Sequence, residues 1–173
     1  GLAELTVAVN GWKMPAAWAA RGAGLVAEWN RVYDQATAKG VTALPTDAQV
    51  MGAVNRAAGP DGVVVAAAGG LPGELHKLWR ADRPRGYHLE YGYSCMGYEV
   101  AGGMGVKMAA PDRDVFVMVG DGSWLMMSSE IVTARQEGVK LIVVLIDNGG
   151  YGSIGSLSAS LGSAGFGTQL RYR

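Results

Sequence analysis

The sequence predicts an α/β domain built on an open, mostly parallel sheet flanked by helices. Two short runs of apolar, largely β-branched residues, 115–119 and 141–146, have the composition of buried strands. A helix-length segment, about 125–137, connects them, and a strand–helix–strand order favours parallel strands joined by a right-handed crossover. Each strand is followed by a turn with an oxygen-bearing side chain, Asp121 after the first and Asn148 after the second. We therefore expect these two side chains to emerge at the same edge of the sheet.

The composition fits one globular domain, with or without part of another. The chain has 173 residues, 49% of them hydrophobic, and a formal net charge of zero. This balance gives no indication of nucleic-acid or membrane-surface binding, and no apolar run approaches the roughly 20 residues that span a bilayer. The single cysteine, Cys95, cannot form an internal disulfide, which favours a reducing compartment and hence the cytoplasm.

The first part of the chain is predicted to be mostly helical. Aromatic and aliphatic residues recur there at helical spacing, and we expect residues 1–43 to be a helical linker or the end of a preceding domain. Residues 44–173 are predicted to form the sheet domain. Thr46 and Gln49 match a capping box at the start of its first helix, which should stop at the turn-forming residues 59–62.

Further strands and helices complete the predicted domain. Strands are expected at 63–67 and 87–91, a loop at 69–73, short helices at 74–80 and beyond Asn148, and a longer helix over 94–109. The longer helix contains several glycines, and each glycine inside a helix costs up to about 1 kcal/mol relative to alanine. We therefore expect these glycines to serve packing, most simply by close approach to the sheet or to a ligand.

The predicted edge of the sheet suits a magnesium ion that carries phosphate. In open α/β sheets, ligands bind beyond the carboxyl ends of the strands. Magnesium prefers six oxygen ligands and takes only a few of them from protein. Asp121 offers a charged oxygen, Asn148 a neutral one, and the backbone carbonyl of Gly150 a third.

The residues around Asp121 offer contacts to the phosphate itself. Gly120 and Gly122 allow the main chain to approach a ligand closely, and Ser123 and the helix N-terminus that follows can donate to phosphate oxygens. Taken alone, Gly-Asp-Gly is typical of a tight turn after a strand. Its pairing with Asn148 after a second buried strand favours a ligand site.

These motifs resemble those of the thiamine diphosphate enzymes. Residues 120–123 through 147–148 resemble the cofactor motif of that superfamily, which begins GDG and ends NN; here the last two residues are Asp147-Asn148, and the ligand position is the second. Residues 94–101 and 71–79 resemble a helix start and an upstream loop of the acetolactate synthase group. The likeness covers about residues 44–173.

The resemblance implies thiamine diphosphate and magnesium as cofactors. The implied cofactor contacts are Met96, Gly120, Asp121, Gly122, Ser123, Asn148, Gly150 and Tyr151. Among them, Asp121, Asn148 and the carbonyl of Gly150 would ligate magnesium. Met96 would lie under the bend of the cofactor, and residues 151–154 would border the reaction pocket.

The resemblance also implies that this chain is an internal fragment. The activating glutamate of the family lies in a separate N-terminal domain, and no glutamate here has a matching context, so no catalytic residue is assigned. The last part of the cofactor-binding domain also has no counterpart, and the fragment alone is predicted to be inactive. Because active sites in the family form between protomers, we expect the full-length protein to be a homodimer or homotetramer.

The implied reaction is hydrolytic cleavage of a carbon–carbon bond in a small cyclic 1,2-dione of myo-inositol catabolism, which gives a deoxy-hexuronate. An acetolactate synthase-like lyase or carboligase is the alternative within the superfamily. A non-catalytic α/β nucleotide-binding module is the alternative outside it. The sequence lacks a G-x-x-x-x-G-K-[ST] loop and lacks a strand-to-helix G-x-G-x-x-G loop with an acidic residue about 20 positions on.

Overall fold

The computed structural model describes residues 1–40 and 43–170, apart from the side chain of Pro72. The chain divides into two compact units, Gly1–Ala38 and Lys39–Arg173. The first unit contains helices α1 (Leu2–Ala8) and α2 (Ala16–Ala36), in agreement with the predicted helical character. Its role as a linker or as the end of a preceding domain stays a prediction. Among the described residues, no helix combines the length and apolar character needed to cross a membrane.

The second unit contains a sheet of four parallel strands in the order β2-β1-β3-β4. The strands are β1 (Val63–Ala66), β2 (Tyr87–Leu89), β3 (Val115–Gly120) and β4 (Ile142–Ile146). The helices are α3 (Asp47–Ala58), α4 (Gly70–Leu78), α5 (Tyr98–Ala109), α6 (Asp121–Met127), α7 (Glu130–Gln136) and α8 (Gly152–Ser160). The predicted α/β fold with a parallel sheet is therefore confirmed.

Valines of the two central strands form the core with helix α5. The buried cluster consists of Val63, Val65, Val100, Val115, Val117 and Val119. Gly103 of α5 allows the helix to approach the sheet, because a Cβ there would collide with the side chain of Val117. A Cβ on Gly105 would meet open space. The expectation that these glycines serve packing is therefore correct for Gly103 and wrong for Gly105.

The helix boundaries differ from the prediction at three places. Helix α4 begins at Gly70, inside the predicted loop 69–73. Helix α5 begins at Tyr98 instead of residue 94, because Ser94 and Gly97 have positive φ angles of 53° and 91° and form a turn. The single helix predicted over about 125–137 is two helices, and α6 starts directly at Asp121. Two adjacent serines, which compete for backbone hydrogen bonds, separate α6 from α7.

The strand register places the ends of β3 and β4 side by side. Gly120, the last residue of β3, is paired with Ile146, the last residue of β4. Asp121 follows the first strand directly and Asn148 follows the second after one residue. The two side chains singled out in the sequence therefore start from the same edge of the sheet.

Candidate cofactor and metal site

A cavity of about 360 Å³ lies at this edge of the sheet. All eight positions predicted to contact the cofactor line it: Met96, Gly120, Asp121, Gly122, Ser123, Asn148, Gly150 and Tyr151. They come from the turn before α5, the start of α6 and the loop between β4 and α8. The fold thus brings together residues that are widely separated in the sequence, and their contacts with a cofactor stay a prediction.

Asp121 carries a buried carboxylate with one unused oxygen. The residue is only 8% exposed. Its Oδ1 accepts a hydrogen bond from the backbone N–H of Gly122 at 3.0 Å, whereas Oδ2 is buried and has no partner within residues 1–40 and 43–170. A buried charge without a partner is costly, so this oxygen fits a bound cation.

Asn148 places its side-chain amide against Asp121 and against the carbonyl of Gly150. The amide atom that faces them lies 3.2 Å from Asp121 Oδ1 and 2.9 Å from Gly150 O. Without a cation, an amide nitrogen at this position donates to both oxygens. In the opposite amide orientation, the side-chain oxygen of Asn148 takes that place, 3.2 Å from Asp121 Oδ1 and 2.9 Å from Gly150 O. Adjacent ligands of an octahedral magnesium ion, with Mg–O distances near 2.1 Å, are about 3 Å apart, so this donor set fits magnesium.

The loop that contains Gly150 is held by the backbone of residues 168–170. The N–H of Tyr151 donates to Thr168 O at 2.8 Å, and the N–H of Leu170 donates to Gly149 O at 2.7 Å. These bonds form an isolated antiparallel bridge between Gly150 and Gln169. Gly150 has a φ of 150°, and a Cβ there would collide with the carbonyl oxygen of Thr168. A larger residue would therefore displace the carbonyl predicted to bind metal.

The two glycines on either side of Asp121 differ in what they require. A Cβ on Gly122 would lie 2.7 Å from Cδ1 of Tyr151, so only glycine lets this ring pack over the start of α6. Gly120 has open space where a Cβ would be and an extended backbone, so the fold does not require glycine there. That open space lies beside the cavity, where the sequence predicts phosphate. Ser123 is buried and also lines the cavity.

Met96 lies in the turn before α5 rather than inside a helix, which corrects the predicted start of that helix. The residue is partly buried and lines the cavity. The turn continues into Gly97, where a Cβ would lie 2.8 Å from Cγ of Met127. The Met96 turn therefore packs tightly against α6, the helix that begins with Asp121.

Sequence reasoning missed several residues that line the cavity. These are Asp47 at the start of α3, Leu71 of α4 and Leu157 of α8. The local sequence explained Asp47 by its favourable position at a helix N-terminus, and it contains no signal that α3 starts beside the cavity. Residues 151–154, predicted to border the pocket, all line it.

Among the described residues, histidine and cysteine offer no alternative metal centre. Within the described ranges, no group of three His, Cys, Asp or Glu side chains is placed to hold a metal ion. His88 Nε2 is 2.7 Å from the hydroxyl of Tyr98, so this ring nitrogen is already engaged by a side chain. A metal at this edge would depend on one carboxylate, one amide and one backbone carbonyl.

Comparison with known proteins defines the class of protein to which this fold and cavity belong. Residues 67–170 match the family described as thiamine pyrophosphate enzyme, C-terminal TPP binding domain, and the chain belongs to this family. The sequence resemblance to thiamine diphosphate enzymes is thereby confirmed, since thiamine pyrophosphate is the same compound.

Individual relatives narrow the comparison. The chain is 50% identical over 128 residues to proteins named 3D-(3,5/4)-trihydroxycyclohexane-1,2-dione hydrolase from Bacillus thuringiensis (strain Al Hakam) and Bacillus cereus (strain AH820). The match to a protein of that name from Bacillus anthracis has the same extent. Each match covers 74% of this chain and 20% of the relative, so the chain spans about a fifth of the length of these curated relatives.

Proposed function

We propose that this chain is the cofactor-binding part of a thiamine diphosphate- and magnesium-dependent hydrolase. The enzyme would cleave a carbon–carbon bond of trihydroxycyclohexane-1,2-dione to give 5-deoxy-glucuronate in myo-inositol catabolism. The 50% identity to hydrolases of that name supports the substrate. The observation that carries the metal and cofactor site is the buried Asp121 carboxylate. Its Oδ2 has no partner among the described residues, and its Oδ1 faces the Asn148 amide, which also faces the Gly150 carbonyl.

Different residues of the cavity would bind the metal, the diphosphate and the remainder of the cofactor. Asp121, Asn148 and the carbonyl of Gly150 would hold magnesium, and the diphosphate would lie against Gly120, Gly122 and Ser123. Asp121 is the only charged group of the metal set, so it would supply the main electrostatic attraction to the cation. Met96 and Tyr151, which line the same cavity, would support the remainder of the cofactor.

When bound, thiamine diphosphate supplies a stabilised carbanion that can activate a carbonyl carbon beside the bond to be broken. The residues of this chain would bind and orient it. Ile146 and Ile154 also line the cavity, and their apolar side chains would exclude water from the reacting region. Excluding water strengthens the electrostatic interactions within a site.

The remaining parts of the active site are proposed to lie outside this chain. The activating glutamate would come from a separate N-terminal domain, and the full-length protein would act as a homodimer or homotetramer. A cytoplasmic location fits a small-molecule catabolic enzyme with one unpaired cysteine in this region.

Turnover by the purified full-length protein tests the proposal. We expect it to consume the cyclic dione and form 5-deoxy-glucuronate only when thiamine diphosphate and magnesium are both present, without consuming pyruvate. Pyruvate consumption with no reaction of the dione would favour the acetolactate synthase-like alternative. Calorimetry that shows magnesium-dependent binding of ATP or NAD but not of thiamine diphosphate would refute the proposal and favour a nucleotide-binding module.

A further inference from the structure

We propose that Glu90 and Glu99 are positioning residues, which hold the segment 90–97 so that Met96 faces the cofactor cavity. Neither glutamate lines the cavity, whereas Ser94 and Met96 do. The inference rests on the proposed function, because it assigns these glutamates a role in presenting a cofactor contact.

The segment 90–97 connects β2 to α5, and its two ends are tied together. His88 in β2 and Tyr98 at the start of α5 are joined by the 2.7 Å contact between Nε2 and the hydroxyl. Their rings are also stacked, with centroids 5.9 Å apart and an interplanar angle of 15°. The two ends of the segment 90–97 are therefore held together, and the conformation between them depends on the hydrogen bonds within the segment.

Glu90 holds the middle of the segment with both carboxylate oxygens. Oε1 accepts a hydrogen bond from the N–H of Tyr93 at 3.0 Å, and Oε2 accepts one from the N–H of Cys95 at 2.8 Å. These backbone bonds lower the pKa of Glu90, so the carboxylate is charged under ordinary conditions. The side chain of Tyr93 is 92% exposed, so the burial of that ring does not hold the segment in place.

Glu99 holds the end of the segment from inside the protein. It is only 1% exposed, and its Oε2 accepts a hydrogen bond from the N–H of Gly97 at 2.9 Å. Gly97 has a φ of 91° and packs against Met127 of α6. Glu99 therefore fixes the point at which the segment meets the helix that carries Asp121.

The two carboxylates together accept from alternate backbone N–H groups, those of residues 93, 95 and 97. The residues between them, Ser94 and Met96, are those that line the cavity. Ser94 has a φ of 53°, which a residue other than glycine rarely adopts. A backbone in such a conformation persists only where its surroundings hold it, and here the carboxylates provide those contacts.

A simpler role for Glu99 is stabilisation of the first turn of α5, where acidic residues are favourable. That role would change the stability of the protein but not its use of the cofactor. The two roles are distinguished by whether the effect of Glu99 depends on Met96 and by whether an amide can replace the carboxylate.

The experiment uses the full-length protein, with Glu99→Ala, Glu99→Gln, Met96→Ala and the Glu99→Ala/Met96→Ala double variant. We expect Glu99→Ala to raise the thiamine diphosphate concentration for half-maximal activity at least tenfold and to lower kcat at saturating cofactor. Glu99→Gln should stay within threefold of wild type, because its amide oxygen can still accept from Gly97. Met96→Ala should have an effect similar to Glu99→Ala, and the double variant should be no worse than Met96→Ala.

Glu90→Gln provides a second test at a more exposed position. Its amide retains one acceptor oxygen where the carboxylate uses two, so it should raise the half-maximal cofactor concentration severalfold with little change in the melting temperature. The exposed Glu137→Gln is the matched control and should behave as wild type.

The outcomes separate this inference from the proposed function. Additive effects of Glu99→Ala and Met96→Ala, or wild-type cofactor use by Glu90→Gln, would overturn the positioning role while wild-type protein still binds thiamine diphosphate. A lower melting temperature of Glu99→Ala with an unchanged half-maximal thiamine diphosphate concentration would also overturn the positioning role. Failure of the wild-type protein to bind thiamine diphosphate would refute the proposed function itself.

Discussion

Replacing Asp121 by asparagine is the sharpest test of the metal site. The amide has nearly the same shape and can still accept the 3.0 Å hydrogen bond from the N–H of Gly122, but it removes the only charge among the three proposed ligands. Removing one partner of a buried ion pair costs about 3–5 kcal/mol. Since each 1.4 kcal/mol is a factor of ten, we expect the magnesium-dependent affinity for thiamine diphosphate to fall roughly 100- to 5000-fold.

In the absence of metal, the same substitution should not weaken the protein, although it weakens binding of the cofactor. Wild type buries a carboxylate oxygen that has no partner among the described residues, and such a group costs roughly 1–3 kcal/mol. Asp121→Asn removes that charge, so the metal-free variant should be at least as stable as metal-free wild type. If Asp121 only shaped a tight turn, the substitution would not lower cofactor affinity while keeping or raising the stability of the metal-free protein.

Isothermal titration calorimetry of the full-length protein with thiamine diphosphate, at several magnesium concentrations, measures the first effect, and thermal unfolding without metal measures the second. Asp112→Asn, which changes an exposed carboxylate in the turn before β3, is the matched control. If Asp121→Asn binds the cofactor with the affinity and magnesium dependence of wild type, the assignment of Asp121 as a metal ligand is wrong.

Four further predictions concern three glycines of the backbone and Glu90. Gly150→Ala should weaken magnesium binding by at least tenfold, because its Cβ would collide with the Thr168 carbonyl oxygen; equal magnesium affinity in a calorimetric titration would contradict this. In α5, Gly105→Ala should stabilise the protein by about 0.5–1 kcal/mol, because the Cβ meets open space. Gly103→Ala should destabilise it by about 1–3 kcal/mol, because the Cβ collides with the side chain of a buried strand residue; melting temperatures that shift in the same direction would count against this packing. The pKa of Glu90 is lowered by two backbone hydrogen bonds, so its stabilising effect is complete above the unfolded-state pKa of about 4.3 and is lost as pH falls through the lower folded-state value. The stability difference between wild type and Glu90→Ala, which loses both hydrogen bonds, should therefore shrink only in that acidic range, and a difference that vanishes already near neutral pH would refute it.

The meeting of Asp121 and Asn148 at one edge of the sheet could be predicted from the sequence because it depends on local patterns. Two β-branched runs joined by one helix-length segment specify parallel neighbours, and a parallel register brings residues that follow each strand to the same edge. Asp121 and Asn148 are such residues, and their side chains are in contact in the structure. Glycine patterns were less informative, since Gly103 packs against the sheet and Gly105 does not.

The remaining features depend on contacts between distant parts of the chain. No local pattern indicates that Thr168 pairs with the loop containing Gly150, or that Asp47 lines the cavity. The start of α5 was misplaced because Ser94 adopts a positive φ, a conformation that propensity disfavours and that Glu90 and Glu99 hold by their hydrogen bonds. Such residues are recognised only when their partners are known.

The bridge between Gly150 and Gln169 has a consequence for how this enzyme family can diversify. Two backbone hydrogen bonds close residues 151–168 into a loop whose ends are fixed beside the carbonyl of Gly150. Because main-chain atoms make both bonds, most side chains of the loop can be exchanged without loosening them. Mutations in α8, which presents Ile154 and Leu157 to the cavity, can therefore reshape the wall of the cavity while the carbonyl of Gly150 stays in place. A library randomised at these two positions is a natural starting point for altering which molecules the cavity admits.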